Sequence, residues 1–342
     1  MERNGAVGVK EVAARAGVSV GTVSNVLNRP AKVSQATRDK VQSAIDELGF
    51  VRNEAARQLR AGMSNCVGLI VLNATNPFFN DIAAGAEEVA AEHGVSVLVG
   101  NSAEIESRED AYLALFEQQR VRGVLVSPIG AATAKLDRLK RHGIPSVIVD
   151  RDITGGSYTS VSVDDVTGGE LAVRHLAELG HRRIAYVAGP VNLRQVVDRW
   201  EGVERESARH PGMEAEFVHV PNLTIPAGLH AGLQILDRPR EEWPTAIFGA
   251  NDLVALGLLQ AMAARDVDVP GDIALIGYDD IEFAAGAAIP LSSISQPRHE
   301  IGRRAMELLL ATTEAPDRPS ERIVLQPELV VRRTTDPDAA LD

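Results

Sequence analysis

Apolar residues in the first fifty positions recur at helical spacing. Val9, Val12, Ala13 and Ala16 fall on one face at three- and four-residue intervals, the mark of a short amphipathic helix. Gly17 follows, and a residue without Cβ suits the left-handed backbone of a sharp turn. Val18 is placed to fill the angle behind that turn, and Ser19 stands where an N-cap opens a second helix. This helix buries Val23, Val26 and Leu27, leaving Val20, Gly21, Thr22, Ser24 and Asn25 on its open face. A third helix begins near 33–37 and carries Val41, Ala44, Ile45 and Leu48, closing a small core. A short, polar, uncovered helix N-terminus braced by another helix is what enters a DNA major groove.

Beyond residue 66 the period changes. Runs rich in β-branched residues at 67–72, 95–100, 123–127, 145–149, 184–188, 216–220, 245–249 and 273–277 read as strands. Helical patterns lie between them, for example at 82–93, 107–120, 167–179, 253–265 and 300–310. Near-continuous apolar strands alternating with helices predict parallel sheets covered on both faces. Roughly 280 residues of this pattern exceed one such sheet, so two lobes are expected. The fold class is therefore a small all-α helix-turn-helix head followed by an α/β body of two Rossmann-like parallel-sheet lobes. The tail 334–342, TTDPDAALD, reads as unstructured.

Charge divides along the same boundary. The chain of 342 residues carries a net charge of −12, which by itself argues against a nucleic-acid partner. Of its 35 basic and 47 acidic residues, however, positions 1–62 hold ten and six, a balance of +4. The remaining 25 basic and 41 acidic residues leave the body at −16. A basic head with Arg29, Lys32, Arg38 and Lys40 around the motif can meet phosphates, and an acidic body is repelled by them. Cys66 is the only cysteine, so no disulfide framework or cysteine-rich metal site is expected. The eight histidines show no metal-ligand spacing, and no phosphate-cradling loop or nucleophile elbow is present. No catalytic residue, metal site or cofactor is therefore assigned. The N-terminus lacks a signal-peptide core and no apolar run reaches membrane-spanning length, so a cytoplasmic, nucleoid-associated protein without a membrane partner is expected.

With these residues in hand, the chain resembles the LacI/GalR family of transcriptional regulators over essentially its whole length. The resemblance is carried by VAARAGVS at 12–19, TVS at 22–24, VLN at 26–28, Thr37-Arg38 and AARQLR at 55–60. In the body it rests on NPFF at 76–79 and IGYD at 276–279. It implies a ligand-controlled repressor that binds a palindromic double-stranded DNA operator as a homodimer, its body similar to periplasmic sugar-binding proteins. The implied domains are a head at 1–51, a hinge helix and linker at 52–65, an N-terminal lobe at 66–164 with 292–325, and a C-terminal lobe at 165–291 with 326–342. Three chain crossings are expected near Asp164, at 292–296 and at 325–327.

The resemblance also places functional residues. Val20, Gly21 and Asn25 occupy the base-reading positions. Asn25 suits a bidentate contact to adenine and Val20 a thymine methyl, while Gly21 has no side chain to read with. Ser19, Thr22, Ser24 and Arg29 complete the DNA face of the head. In the hinge, Asn53, Ala56, Arg57, Leu59 and Arg60 are assigned to DNA, with Leu59 as the apolar wedge of the minor groove. A two-turn hinge helix is too short to stand alone and needs a partner subunit. Arg52 replaces the proline the family often has before the asparagine. No heptad-bearing C-terminal helix follows Arg333, which favours a dimer over a tetramer.

For the body, parallel α/β sheets bind ligands beyond the carboxyl ends of their strands. The residues there are Asn76, Phe78 and Phe79 after the first strand and Asp150 and Arg151 after the fourth. Arg199, Asn251, Asp252 and Asp279 come from the later strand ends. Aromatic faces with carboxylate, amide and guanidinium groups suit a sugar or sugar derivative as effector. Leu193 stands where purine-responsive members carry a base-binding arginine, which argues against a purine. Arg194, Gln195 and Val196 replace the small hydroxyl residues of many carbohydrate regulators. An acidic or phosphorylated sugar would account for Arg194, and so would a solvated surface position. A transport solute-binding protein would share the body but not the basic head, and an enzyme would need a catalytic constellation that is absent.

Overall fold

The computed structural model describes residues 7–50, 64–130, 133–151 and 158–340. The chain divides into two compact units, residues 1–64 and 65–342.

In the first unit, α1 (Val9–Ala16) starts where Glu11 accepts a 3.0 Å hydrogen bond from the Gly8 amide, and it stops at Gly17 with φ 64°. The turn closes through the Val18 amide donating to the Ala13 carbonyl at 3.0 Å. Ser19 then caps α2 (Val20–Asn28), its Oγ accepting from the Thr22 amide at 3.1 Å. The third helix, α3 (Gln35–Leu48), ends at Gly49, also left-handed. Val12, Ala13, Val23, Val41 and Ala44 form the core with Phe50, an aromatic just past α3 that helical periodicity did not place.

The second unit holds two six-stranded sheets. The first is built from β1 (Cys66–Val71), β2 (Ser96–Asn101), β3 (Gly123–Val126), β4 (Ser146–Val149), β5 (Thr159–Val163) and β11 (Arg322–Leu325). It is wholly parallel, in the order β11-β5-β4-β3-β1-β2. Helices α4 (Pro77–Glu92), α5 (Glu106–Gln118), α6 (Thr133–Arg141) and α12 (Arg298–Glu314) accompany this sheet. The second sheet contains β6 (Arg183–Ala188), β7 (Glu214–His219), β8 (Ala246–Gly249), β9 (Ala274–Asp279), β10 (Ser292–Ser295) and β12 (Glu328–Val330). Its order β12-β10-β9-β8-β6-β7 repeats that of the first. Helices α7 (Asp165–Glu178), α8 (Arg194–Ser207), α9 (Ile225–Leu236), α10 (Asp252–Ala264) and the short α11 (Glu282–Ala285) belong with it. The chain passes between the sheets after β5, after β10 and between β11 and β12.

Four expectations need correction. The segment Ser292–Ser295, expected in the N-terminal lobe, pairs with β9 and β12 of the second sheet, so the crossing follows it. Strand β12 runs antiparallel to β10, because the chain re-enters from the end at which it had left. Sheet coverage fails at the β2 edge, where Leu98 and Val99 are 42% and 48% exposed. The tail is anchored as far as its described part reaches. Thr334 and Thr335 are buried, the Thr334 hydroxyl accepts from the Ser292 amide at 2.8 Å, and its carbonyl accepts from Leu275.

Paired glycines bring helices together backbone to backbone. A Cβ on Gly302 of α12 would lie 1.9 Å from the Ile82 carbonyl of α4, and one on Gly85 would lie 2.1 Å from the His299 carbonyl. Gly169 with Gly202 joins α7 to α8 in the same way, and Gly228 with Gly257 joins α9 to α10.

Candidate functional sites

On the head, the open face of α2 has the composition its position requires. Val20 is 46% exposed, Gly21 and Asn25 are exposed, and Arg29 follows at the helix end. Two candidates spend their polar atoms locally. The Thr22 hydroxyl bonds Ser19 Oγ at 2.9 Å, and Ser24 receives the Asn28 amide at its carbonyl and its hydroxyl. Arg38 is similarly committed, donating to the Pro30 carbonyl at 2.8 Å, whereas Lys32 and Lys40 are exposed. Val20, Gly21 and Asn25 thus remain as the side of the helix available to base edges. Asn53, Ala56, Arg57, Leu59 and Arg60 lie outside the described residues.

In the second unit the carboxyl ends of both sheets converge on a cleft lined by residues of both lobes. Asn76 caps α4, accepting from the Phe78 amide at 3.1 Å, and donates across the cleft to Asp279 at 2.9 Å. Asp279 closes β9 at φ 104° and also accepts from Gln296 at 2.8 Å. Asp150, left-handed at φ 61° after β4, accepts from Gln195 of α8 at 2.8 Å, a second bond from lobe to lobe. Burial pushes both aspartates above the usual carboxylate range, Asp150 strongly. Phe78 and Phe79 stand edge to face with centroids 5.0 Å apart and line the same space.

Arg199 is the cation of the cleft, and it is almost fully buried. Its Nε donates to Asp165 at 2.8 Å, its Nη1 to the Ala250 carbonyl at 2.6 Å, and its guanidinium lies 3.6 Å from the Tyr278 ring centre. Burial alone would push this group down, but the facing Asp165 carboxylate and its neighbours hold it well above its ordinary value. Asn251 caps α10 through the Val254 amide at 2.9 Å and still lines the cleft.

Two expected residues do not line it. Asp252 is fully buried behind Asn251, accepting from Ser293 Oγ at 2.6 Å and the Ile281 amide at 2.8 Å. Consecutive positions at a helix start point about 100° apart, so the cap faces the cleft and its neighbour faces the lobe. Arg151 turns away after left-handed Asp150 and donates to the Gly130 carbonyl at 2.5 Å. In their place the cleft recruits Glu104, Asn73, Gln195 and apolar Leu72, Leu193 and Val196. Asn73 and Glu104 follow β1 and β2, so the strand-end rule, applied to every strand, would have reached them. Gln195 sits one turn ahead of Arg199 on α8 and shares its face.

Among the described residues no helix is long and apolar enough to cross a membrane, and no cluster of ligating side chains could hold a metal. Residues 8–53 match the family described as bacterial regulatory proteins, lacI family, and residues 173–335 match a periplasmic binding protein-like domain. The repressor PurR of Vibrio atlanticus is 32% identical over 95% of this chain and 98% of its own length. The transcriptional regulator CelR in complex with cellobiose superimposes with a TM-score of 0.71 at 31% identity, covering 96% of this chain and 99% of its own. The lac repressor dimer bound to operator and the anti-inducer ONPF gives a TM-score of 0.83 at 28% identity, covering 97% and 99%.

Proposed function

This chain belongs to the lacI family of bacterial regulatory proteins, and from that premise we propose that it is a homodimeric repressor whose binding to a palindromic operator is controlled by a sugar or sugar derivative. The observation that carries the effector half is the convergence of Asn76, Asp150, Gln195, Arg199 and Asp279 from both lobes on one cleft with two phenylalanines. Aromatic faces cover the C–H face of a polyol, and the buried polar groups fix its hydroxyls. The DNA half assigns Val20 and Asn25 to base edges and Asn53, Ala56, Arg57, Leu59 and Arg60 to the operator through the hinge. Because the cleft lies between lobes, a ligand bridging it changes the lobe geometry and with it the spacing of the two heads. The protein works in the bacterial cytoplasm on chromosomal DNA and has no catalytic role.

The test is selection from a genomic-fragment library at fixed salt, with and without a panel of sugars. Enrichment of a palindrome that one compound abolishes is the expected result. No enrichment, combined with clear sugar binding, would restore the solute-binding alternative. That reading is opposed here by the exposed polar face of α2 on a basic head.

A further inference from the structure

Arg194 offered the one sequence argument for a phosphorylated ligand, and the structure removes it. Its side chain is half exposed, pairs with Asp198 at 2.6 Å, and does not line the cleft. Leu193, beside it, is buried in the cleft wall and supplies no charge. The lining contains one cation, Arg199, already matched by Asp165. Against it stand the carboxylates of Glu104, Asp150 and Asp279.

Part of the donor capacity of the lining is also committed within the protein. The amide nitrogens of Asn76, Gln195 and Asn251 donate to Asp279, Asp150 and the Leu223 carbonyl. In the lining, Gln195 Oε1 is buried without a partner among the described residues. Glu104 is the extreme case, because among the described residues no side chain or amide pairs with its carboxylate. The loop after β2 nevertheless holds it in place. Ala103 and Glu104 are left-handed at φ 50° and 60°, and the Glu104 amide donates to the Leu72 carbonyl at 3.0 Å. A non-glycine backbone kept in that region marks a side chain that the fold aims.

We infer that the cleft takes a donor-rich, non-phosphorylated polyhydroxy compound, and that Glu104 sets this preference by offering the ligand an otherwise unpaired carboxylate. The inference rests on the effector-binding reading above and narrows its ligand class. A phosphate dianion would meet three acidic side chains and one cation, Arg199, whose charge is already balanced by Asp165, so the lining offers nothing to neutralise it. A hydroxyl or an amine meets acceptors that lack donors. Partial burial pushes the Glu104 carboxyl up to about 7.

The full-length protein is to be titrated calorimetrically with a panel of pentoses and hexoses, each presented as the free sugar, its terminal phosphate ester and its amino-deoxy counterpart. The tightest binder is expected to be a free or amino sugar, with its ester weaker by about a hundredfold or more. An ester that binds as tightly as its parent overturns the inference while leaving the effector reading intact. A panel in which no compound of any class binds removes the polyhydroxy-effector reading itself, and the inference with it. Glu104→Lys is expected to shift the ester-to-parent affinity ratio toward the ester by about tenfold or more. An unchanged ratio in a variant with wild-type melting temperature would mean that Glu104 does not face the ligand.

Discussion

Asn25 and Glu104 illustrate how much rests on single side chains whose polar atoms the fold leaves free. The Thr22 and Ser24 hydroxyls bond Ser19 and Asn28, so Asn25 is the polar side chain of α2 proposed to discriminate sequence. Asn25→Ala should relax base preference at one symmetric pair of operator positions by about 1–3 kcal/mol. A sequence logo indistinguishable from wild type would refute that assignment. For Glu104 the prediction concerns pH. Its carboxyl titrates near 7 in the fold against an ordinary value of 4.5, so folding favours the protonated form. Its contribution to stability is therefore intact below about pH 4.5 and lost as pH rises through 7. Glu104→Gln should raise the melting temperature at pH 8 and leave it nearly unchanged at pH 4.5. An equal gain at both values would point to packing instead of charge.

At the scale of elements, the helix pairs α4–α12, α7–α8 and α9–α10 cross at glycines, with no room for a side chain between backbones. In all three pairs an added methyl would strike a backbone carbonyl of the facing helix, which cannot yield as a flexible side chain does. Gly302→Ala should thus cost about 1–3 kcal/mol or more, read as a lower urea midpoint at unchanged slope. Stability equal to wild type would mean that the helices slide apart freely. Helices α4, α7, α10 and α12 were visible in the sequence through their apolar faces, but the glycines were not. Helical periodicity reports which side of a helix is buried, and it is silent on how closely the neighbour approaches. Strand β5, TSVSV, was missed for a related reason. Its Ser160 and Ser162 are buried between β4 and β11, so a run that reads as half polar belongs to the sheet interior.

For the whole molecule, the two lobes are tied across the cleft by Asn76 to Asp279 and Gln195 to Asp150. Asp279→Asn keeps the shape while removing the charge, and it should bring the ratio of operator affinities with and without effector close to one. A wild-type ratio would place the ligand elsewhere. Arg199→Ala is a different experiment from the one its sequence position suggests. It leaves buried Asp165 without its partner and should lower stability by about 3–5 kcal/mol, seen in the denaturation midpoint before any ligand is added.

The strand–helix alternation with eight of the strands, the basic head and acidic body, and the strand ends that carry Asn76, Asp150, Asn251 and Asp279 follow from the sequence alone. Periodicity, turn chemistry and charge are local properties, written within a few residues of where they act. Tertiary structure decided which of the neighbouring polar residues reach the cleft. Asn251 lines it and Asp252 does not, Asp150 lines it and Arg151 does not, and Glu104 enters from a loop. Those choices depend on side-chain direction at left-handed and helix-start positions and on partners such as Ser293, Gly130 and Gln195, which lie 41, 21 and 45 residues away in the chain. Only folding sets such distances, and it also leaves Glu104 without a partner among the described residues.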